Sequence, residues 1–164
     1  MVTGTRDPHV ETLRRLFETH PVWLAAARHL APGACSAIRF SHRPREEWTL
    51  HGQEGRTVLE AGRAPDPDLA FTFPPAAIEK LDATRGGIAD FSLALFRLIE
   101  ETDPDLRVGF QVVAPFSRLV RRGYVRLLVA AGPRVLAFGV ARGVATLGAL
   151  RRRVERSRKD PKRS

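Results

Sequence analysis

The side chains of this sequence that can exchange protons, ligate a metal or attack carbon near neutral pH are His9, His20, His29, His42, His51 and Cys35. Their spacing is unhelpful to such chemistry. No H-E-x-x-H or C-x-x-C occurs, and no histidine stands at ligand spacing from another His, Cys or carboxylate. His42 and His51 flank an expected hairpin, so they would form a metal or acid–base pair only if the turn closed them together; two solvated turn histidines are the simpler expectation. Cys35 opens an expected strand, where a buried, inert thiol is the ordinary outcome, and the sequence supplies no basic neighbour to activate it. Glu46-Glu47 and Glu100-Glu101 are adjacent carboxylates that point apart on any regular element. Gly86-Gly87 has no lysine or serine behind it to make a phosphate loop. The expectation is a chain that binds rather than catalyses, with no catalytic residue, no metal and no cofactor.

The elements that must position any site follow from periodicity. Val10, Leu13, Leu16 and Phe17 recur at helical spacing, and a second apolar run, Val22 to Ala27, follows His20-Pro21, which predicts two short helices broken at the proline. Pro32-Gly33 ends this segment. Ala37 to Ser41, Glu47 to His51 and Thr57 to Glu60 then alternate as half-buried strands, with Trp48 and Leu50 on one face and Ile38 and Phe40 on another. Asp68 to Phe73 is a fourth strand in which Leu69, Phe71 and Phe73 point the same way. Helices follow over Ala76 to Asp82 and Ile88 to Glu101, the second apolar around most of its circumference, as in a helix buried on several sides or lining a cavity. Leu106, Val108, Phe110 and Val112 alternate as the clearest strand in the chain. Pro115 opens a helix carrying Phe116, Leu119, Val120, Gly123, Leu127 and Leu128 on one face. A last helix starts near Arg134 and runs into an arginine cluster; within it Gly139 and Gly143 form a G-x-x-x-G that reads as a close helix contact.

Two features remain to be explained: the aromatics and the order of the elements. Phe40, Trp48, Phe71, Phe73, Phe91, Phe96, Phe110 and Phe116 fall on strand faces and helix stripes, not interleaved with exposed Lys or Arg as a base-stacking platform requires, so they belong to a packed core or to an apolar cavity. The order of pieces resembles the sterol carrier protein-2 domain. The resemblance lies in a Trp-containing strand (Glu47-Trp48-Thr49-Leu50), a strand ending in glycine (Val58 to Gly62), an aspartate-led strand (Asp66 to Phe73), a short and then a longer apolar helix, and an alternating strand (Arg107 to Val112). It covers roughly Ala34 to Leu128. It implies an α+β fold with a mixed, mainly antiparallel five-stranded sheet covered by helices, and an apolar tunnel for a fatty acid, sterol, isoprenoid or similar lipid. The tunnel-lining candidates it implies are Trp48, Leu50, Phe71, Phe73, Phe91, Leu95, Leu98, Phe110 and Phe116. The corresponding organisation is an N-terminal helical segment over 1–33, the lipid-binding domain over 34–131, and a C-terminal helix with a basic tail over 132–164.

Composition bounds the partners. With 164 residues, 43% hydrophobic and 27% charged, the chain can bury a core without disulfide staples. The formal charge is +9, but residues 151–164 hold eight basic and two acidic side chains and so account for most of it. A basic tail behind an apolar helix face matches an interfacial anchor, with Arg151, Arg152, Arg153, Arg156 and Arg158 as contacts to an anionic membrane. Arg126, Arg134 and Arg142 interrupt the apolar run from Tyr124 to Leu150 and argue against a membrane span. The lone cysteine and an amino terminus without a basic-then-apolar run point to the cytoplasm, with peripheral attachment to the inner face of the membrane. The competing expectation is an interaction protein or nucleic-acid binder that works through the same basic tail and keeps its aromatics in a dry core.

Overall fold

The computed structural model describes residues 7–138 and residue 141. The tail arginines at 151–158 and the Gly139/Gly143 pair therefore lie outside the described residues.

Helices α1 (Pro8–Glu18) and α2 (Pro21–Ala27) begin as the sequence predicts, each with a proline in its first turn. The Asp7 carboxylate accepts the backbone N–H groups of His9 and Val10, and the His20 ring accepts that of Val22, so both helix starts have a side-chain cap. Val10, Leu13, Leu16 and Phe17 are all buried, which makes one face of α1 a core face.

Strands β1 (Cys35–Phe40), β2 (Arg43–Gln53), β3 (Arg56–Ala61), β4 (Leu69–Phe73) and β5 (Gly109–Val112) form one sheet in the order β3-β2-β1-β4-β5. Only β1 and β4 run parallel; the other neighbours are antiparallel. The fold is α+β with a mixed, mainly antiparallel five-stranded sheet. Glu54 and Gly55 both take positive φ, 46° and 80°, and close the β2–β3 hairpin in the tight turn whose twist matches that of the strands.

The remaining helices are α3 (Pro75–Ala83), α4 (Ile88–Ile99), α5 (Phe116–Arg121) and α6 (Tyr124–Ala131), with a further helical stretch over 133–138. α1 lies against β3, where Thr57 Oγ1 donates to the Phe17 carbonyl at 2.5 Å and the Leu59 N–H donates to Glu18 at 2.7 Å. The helix thereby covers a sheet edge that would otherwise be open. Leu13, Ile38, Phe40, Phe73, Ile78 and Leu81 form the centre of the core between sheet and helices.

Four expectations are corrected. Ile38 pairs with Trp48, so Ile38 and Phe40 share the face of Trp48 and Leu50 rather than opposing it. β2 begins at Arg43 rather than Glu47, and the irregular pairing near Arg39/Phe40 accommodates Pro44, which cannot donate to a regular ladder. The strand expected from its clean alternation is the shortest of the five and forms a sheet edge, with only residues 109–112 paired. The helix expected to run through Gly123 is split there, because Gly123 adopts φ 85°.

Candidate functional site

The register lays Ala61, Trp48, Ile38, Phe71 and Phe110 in one row across all five strands on the helix-covered face. Leu59, Leu50, Ser36, Leu69 and Val112 make the next row. Burial falls along the first row from Ile38 at 0% exposed to Phe110 at 39%, because the core helices cover the centre of the sheet more fully than its β5 edge.

Against this gradient the nine tunnel candidates separate. Leu50, Phe73, Phe91 and Leu98 are buried and belong to the hydrophobic core, with Phe91 beside Trp23 at 6.2 Å between ring centroids. Trp48, Phe71 and Leu95 are half-buried and pack against that core. The Arg14 guanidinium lies over the Trp48 ring, and Phe71 touches both Phe73 and Phe110 with centroids 5.7 and 5.1 Å apart. Phe110 is exposed at the sheet edge, and Phe116, at 69%, is the most exposed large apolar side chain described.

The exposed large hydrophobics among the described residues are Phe110, Val112, Val113, Phe116, Val120 and Val129, all within one stretch of chain running from β5 to α6. Where such side chains lie side by side they make the kind of contiguous apolar patch that marks a surface for a partner or ligand.

Two depressions accompany these surfaces. One, of about 230 Å³, lies across β1, β4 and β5 and is lined by Ala37, Arg39, Ala70, Thr72, Gly109 and Gln111 of the opposite sheet face, with Phe71 and Phe110. The other, of about 310 Å³, is formed by Arg43, Pro44, Arg45 and Glu46. Both are open to solvent.

A polar cluster that sequence reasoning did not find stands beside the apolar surface. Asp68 is fully buried immediately before β4. Its Oδ2 accepts the Cys35 N–H at 3.1 Å and the Tyr124 hydroxyl at 3.3 Å. Its Oδ1 faces the Arg118 Nε at 2.9 Å, an ion pair whose angle falls outside hydrogen-bond geometry. Arg118 also donates to Asp66 at 2.6 Å and to the Pro67 carbonyl at 3.1 Å. Burial, reinforced by the Asp68 carboxylate, pushes the Cys35 thiol up from its ordinary value. Burial likewise pushes the Tyr124 hydroxyl up. A thiol held protonated in this way is a poor nucleophile.

The histidines distribute differently from the sequence reading. His51 stands opposite Cys35 in the register, yet its ring nitrogens meet Gln53 at 3.3 Å and Glu60 at 3.1 Å. His42 turns away from His51 and joins Asp7 and His9, and these three offer ligand atoms within 4.8 Å of one another. That grouping, invisible in the spacing, has the residue types of a metal site. It is saturated instead: Asp7 Oδ2 takes His42 Nε2 at 2.7 Å and Arg43 Nε at 2.8 Å, while Oδ1 takes the His9 N–H at 2.8 Å. A guanidinium in contact with the only carboxylate of the group opposes a cation there.

Among the described residues no helix is long and apolar enough to cross a membrane. No family model matches the chain, and no curated protein matches it. Among solved structures, one described as "UbiJ-SCP2 Ubiquinone synthesis protein" is similar over 74% of this chain and 87% of its own, at 19% identity and a TM-score of 0.43.

Proposed function

We propose that this protein binds an apolar ligand of the lipid class, without chemical turnover, on the β4–β5 side of its helix-covered sheet face. The observation that carries the reading is the continuity of apolar surface from buried Phe73 through half-buried Phe71 to exposed Phe110. Leu95 on α4, half-buried against the same core, adds to the apolar surface available. Each Å² of ligand surface removed from water there contributes about 25 cal/mol. The likeness of residues 34–128 to the sterol carrier protein-2 domain, noted from element order, agrees with a lipid cargo. In this reading Arg151, Arg152, Arg153, Arg156 and Arg158 hold the chain at an anionic membrane.

The test is uptake of a fluorescent fatty acid by the full chain and by Leu95→Gln and Phe110→Gln variants. Phe91 is unsuitable, since its burial beside Trp23 makes a polar replacement a stability experiment. Saturable uptake that both variants weaken, with the fatty acid recovered intact by mass spectrometry, supports the reading. Uptake unchanged in variants with wild-type circular dichroism sinks it.

A further inference from the structure

The chain between Asp105 and Glu155 contains no acidic residue, yet it contains Arg107, Arg118, Arg121, Arg122, Arg126, Arg134 and Arg142 ahead of the tail cluster. Of these, Arg118 is neutralised by Asp66 and Asp68. Arg107, Arg121, Arg126 and Arg134 are exposed, and no ion pair joins them to a carboxylate of the described residues. The exposed apolar side chains from Phe110 to Val129 occupy the same stretch. Phe116 and Val120 lie one helical turn apart on α5, so both project from one face of that helix.

From this juxtaposition we infer that β5, α5 and α6 form a seat for an anionic phospholipid bilayer, with Phe116 and Val120 entering the acyl boundary and Arg121, Arg126 and Arg134 meeting the headgroup phosphates. Bare apolar surface without acidic residues is costly beside water and favourable at a lipid interface, where each nearby arginine adds its own attraction to negative lipid. Aliphatic side chains predominate: Val112, Val113, Val120 and Val129 offer no ring on which a nucleic-acid base would stack. The inference deepens the membrane half of the proposed function by naming a surface within the folded body, distinct from the arginines at 151–158.

Co-flotation of the full-length protein tests it, using vesicles of phosphatidylcholine and phosphatidylglycerol in equal parts and vesicles of phosphatidylcholine alone. The expected result is binding to the anionic vesicles that falls about tenfold in the F116S/V120S double variant, with its tail intact, as two partly buried apolar groups are lost. The exposed positions make that variant a folding-neutral change, to be checked by its thermal melt. A tail variant, R151Q/R152Q/R153Q, reads the other anchor separately: it weakens binding mainly at low salt and leaves the F116S/V120S effect in place. Undiminished vesicle binding by F116S/V120S overturns the seat, whatever the tail variant does. So does a wild-type dimer in solution that the double variant dissociates, which would make this face a contact between two copies of the chain. Loss of duplex DNA binding, with vesicle binding retained, overturns it as well.

Discussion

The Arg118 guanidinium stands 2.9 Å from the fully buried Asp68 carboxylate and ties the α5 segment to the start of β4. Asp68 also receives the Cys35 N–H and the Tyr124 hydroxyl, so a single carboxylate links β1, α5 and α6. Asp68→Ala takes this partner from the part-buried Cys35 N–H, the Tyr124 hydroxyl and the Arg118 guanidinium and is expected to cost about 3 kcal/mol, as for lost hydrogen bonds to a buried charge. Tyr124→Phe removes the hydroxyl that meets Asp68 at 3.3 Å and the Cys35 carbonyl and Ser36 hydroxyl at 3.5 Å, and is expected to cost about 1 kcal/mol. Urea unfolding of both variants measures the difference, and equal midpoints would show that the cluster holds nothing.

Gly123 supplies the second fastening of the same segment. It takes φ 85°, and a Cβ there would collide with the His29 backbone carbonyl, while the neighbouring Arg122 carbonyl accepts the Ala31 N–H at 2.8 Å. Gly123→Ala combines a left-handed backbone with a backbone clash and is expected to cost more than about 2 kcal/mol. The loss should be accompanied by faster amide exchange in α6 than in β1, since the damage is confined to the junction of α2 and α6.

Much of this architecture was legible because periodicity reports burial. Val10, Leu13, Leu16 and Phe17 on α1, and Leu69, Phe71 and Phe73 on β4, show their buried or half-buried side directly in their spacing. Periodicity does not report how well a neighbour covers that side. The alternation from Leu106 to Val112 read as the best strand, but only residues 109–112 pair, on an exposed sheet edge, while Val108 is buried in the core outside the strand. The helix stripe containing Phe116 and Val120 looked like a core face for the same reason. Contacts between residues far apart in the chain leave no local trace, so neither Asp68–Arg118 nor Asp7–His42 had a signal in spacing.

The contrast between core and surface aromatics yields a direct comparison. Phe73 is 0% exposed and touches Phe17 and Phe71, whereas Phe116 is 69% exposed. Phe73→Ala is expected to cost about 3–5 kcal/mol through lost burial and the cavity left behind. Phe116→Ser is expected to stay within about 0.5 kcal/mol of wild type. Similar losses at both positions, measured by thermal unfolding, would mean that Phe116 is covered in solution.

Asp7 gives the stability of α1 a pH dependence. Its burial raises the carboxyl, but the His42 hydrogen bond, the backbone N–H groups of His9 and Val10, and the His42 charge outweigh that effect and hold it at about 2, below its ordinary 3.8. The groups facing it are His9, His42 and Arg43, with Glu79 on the far side of His9 and Glu46 on Arg43. A lowered carboxyl stabilises the fold fully above its unfolded value and loses that contribution as pH falls through the folded one. Asp7→Ala, which also removes the helix cap, should therefore be less stable than wild type by about 1–2 kcal/mol at neutral pH. The gap between the two proteins should narrow as the pH drops from 3.8 towards about 2, where wild-type Asp7 takes up its proton. Urea midpoints recorded across that interval decide the matter: a gap that stays constant would show that the cap and its histidine and arginine partners do not act through the ionised carboxylate.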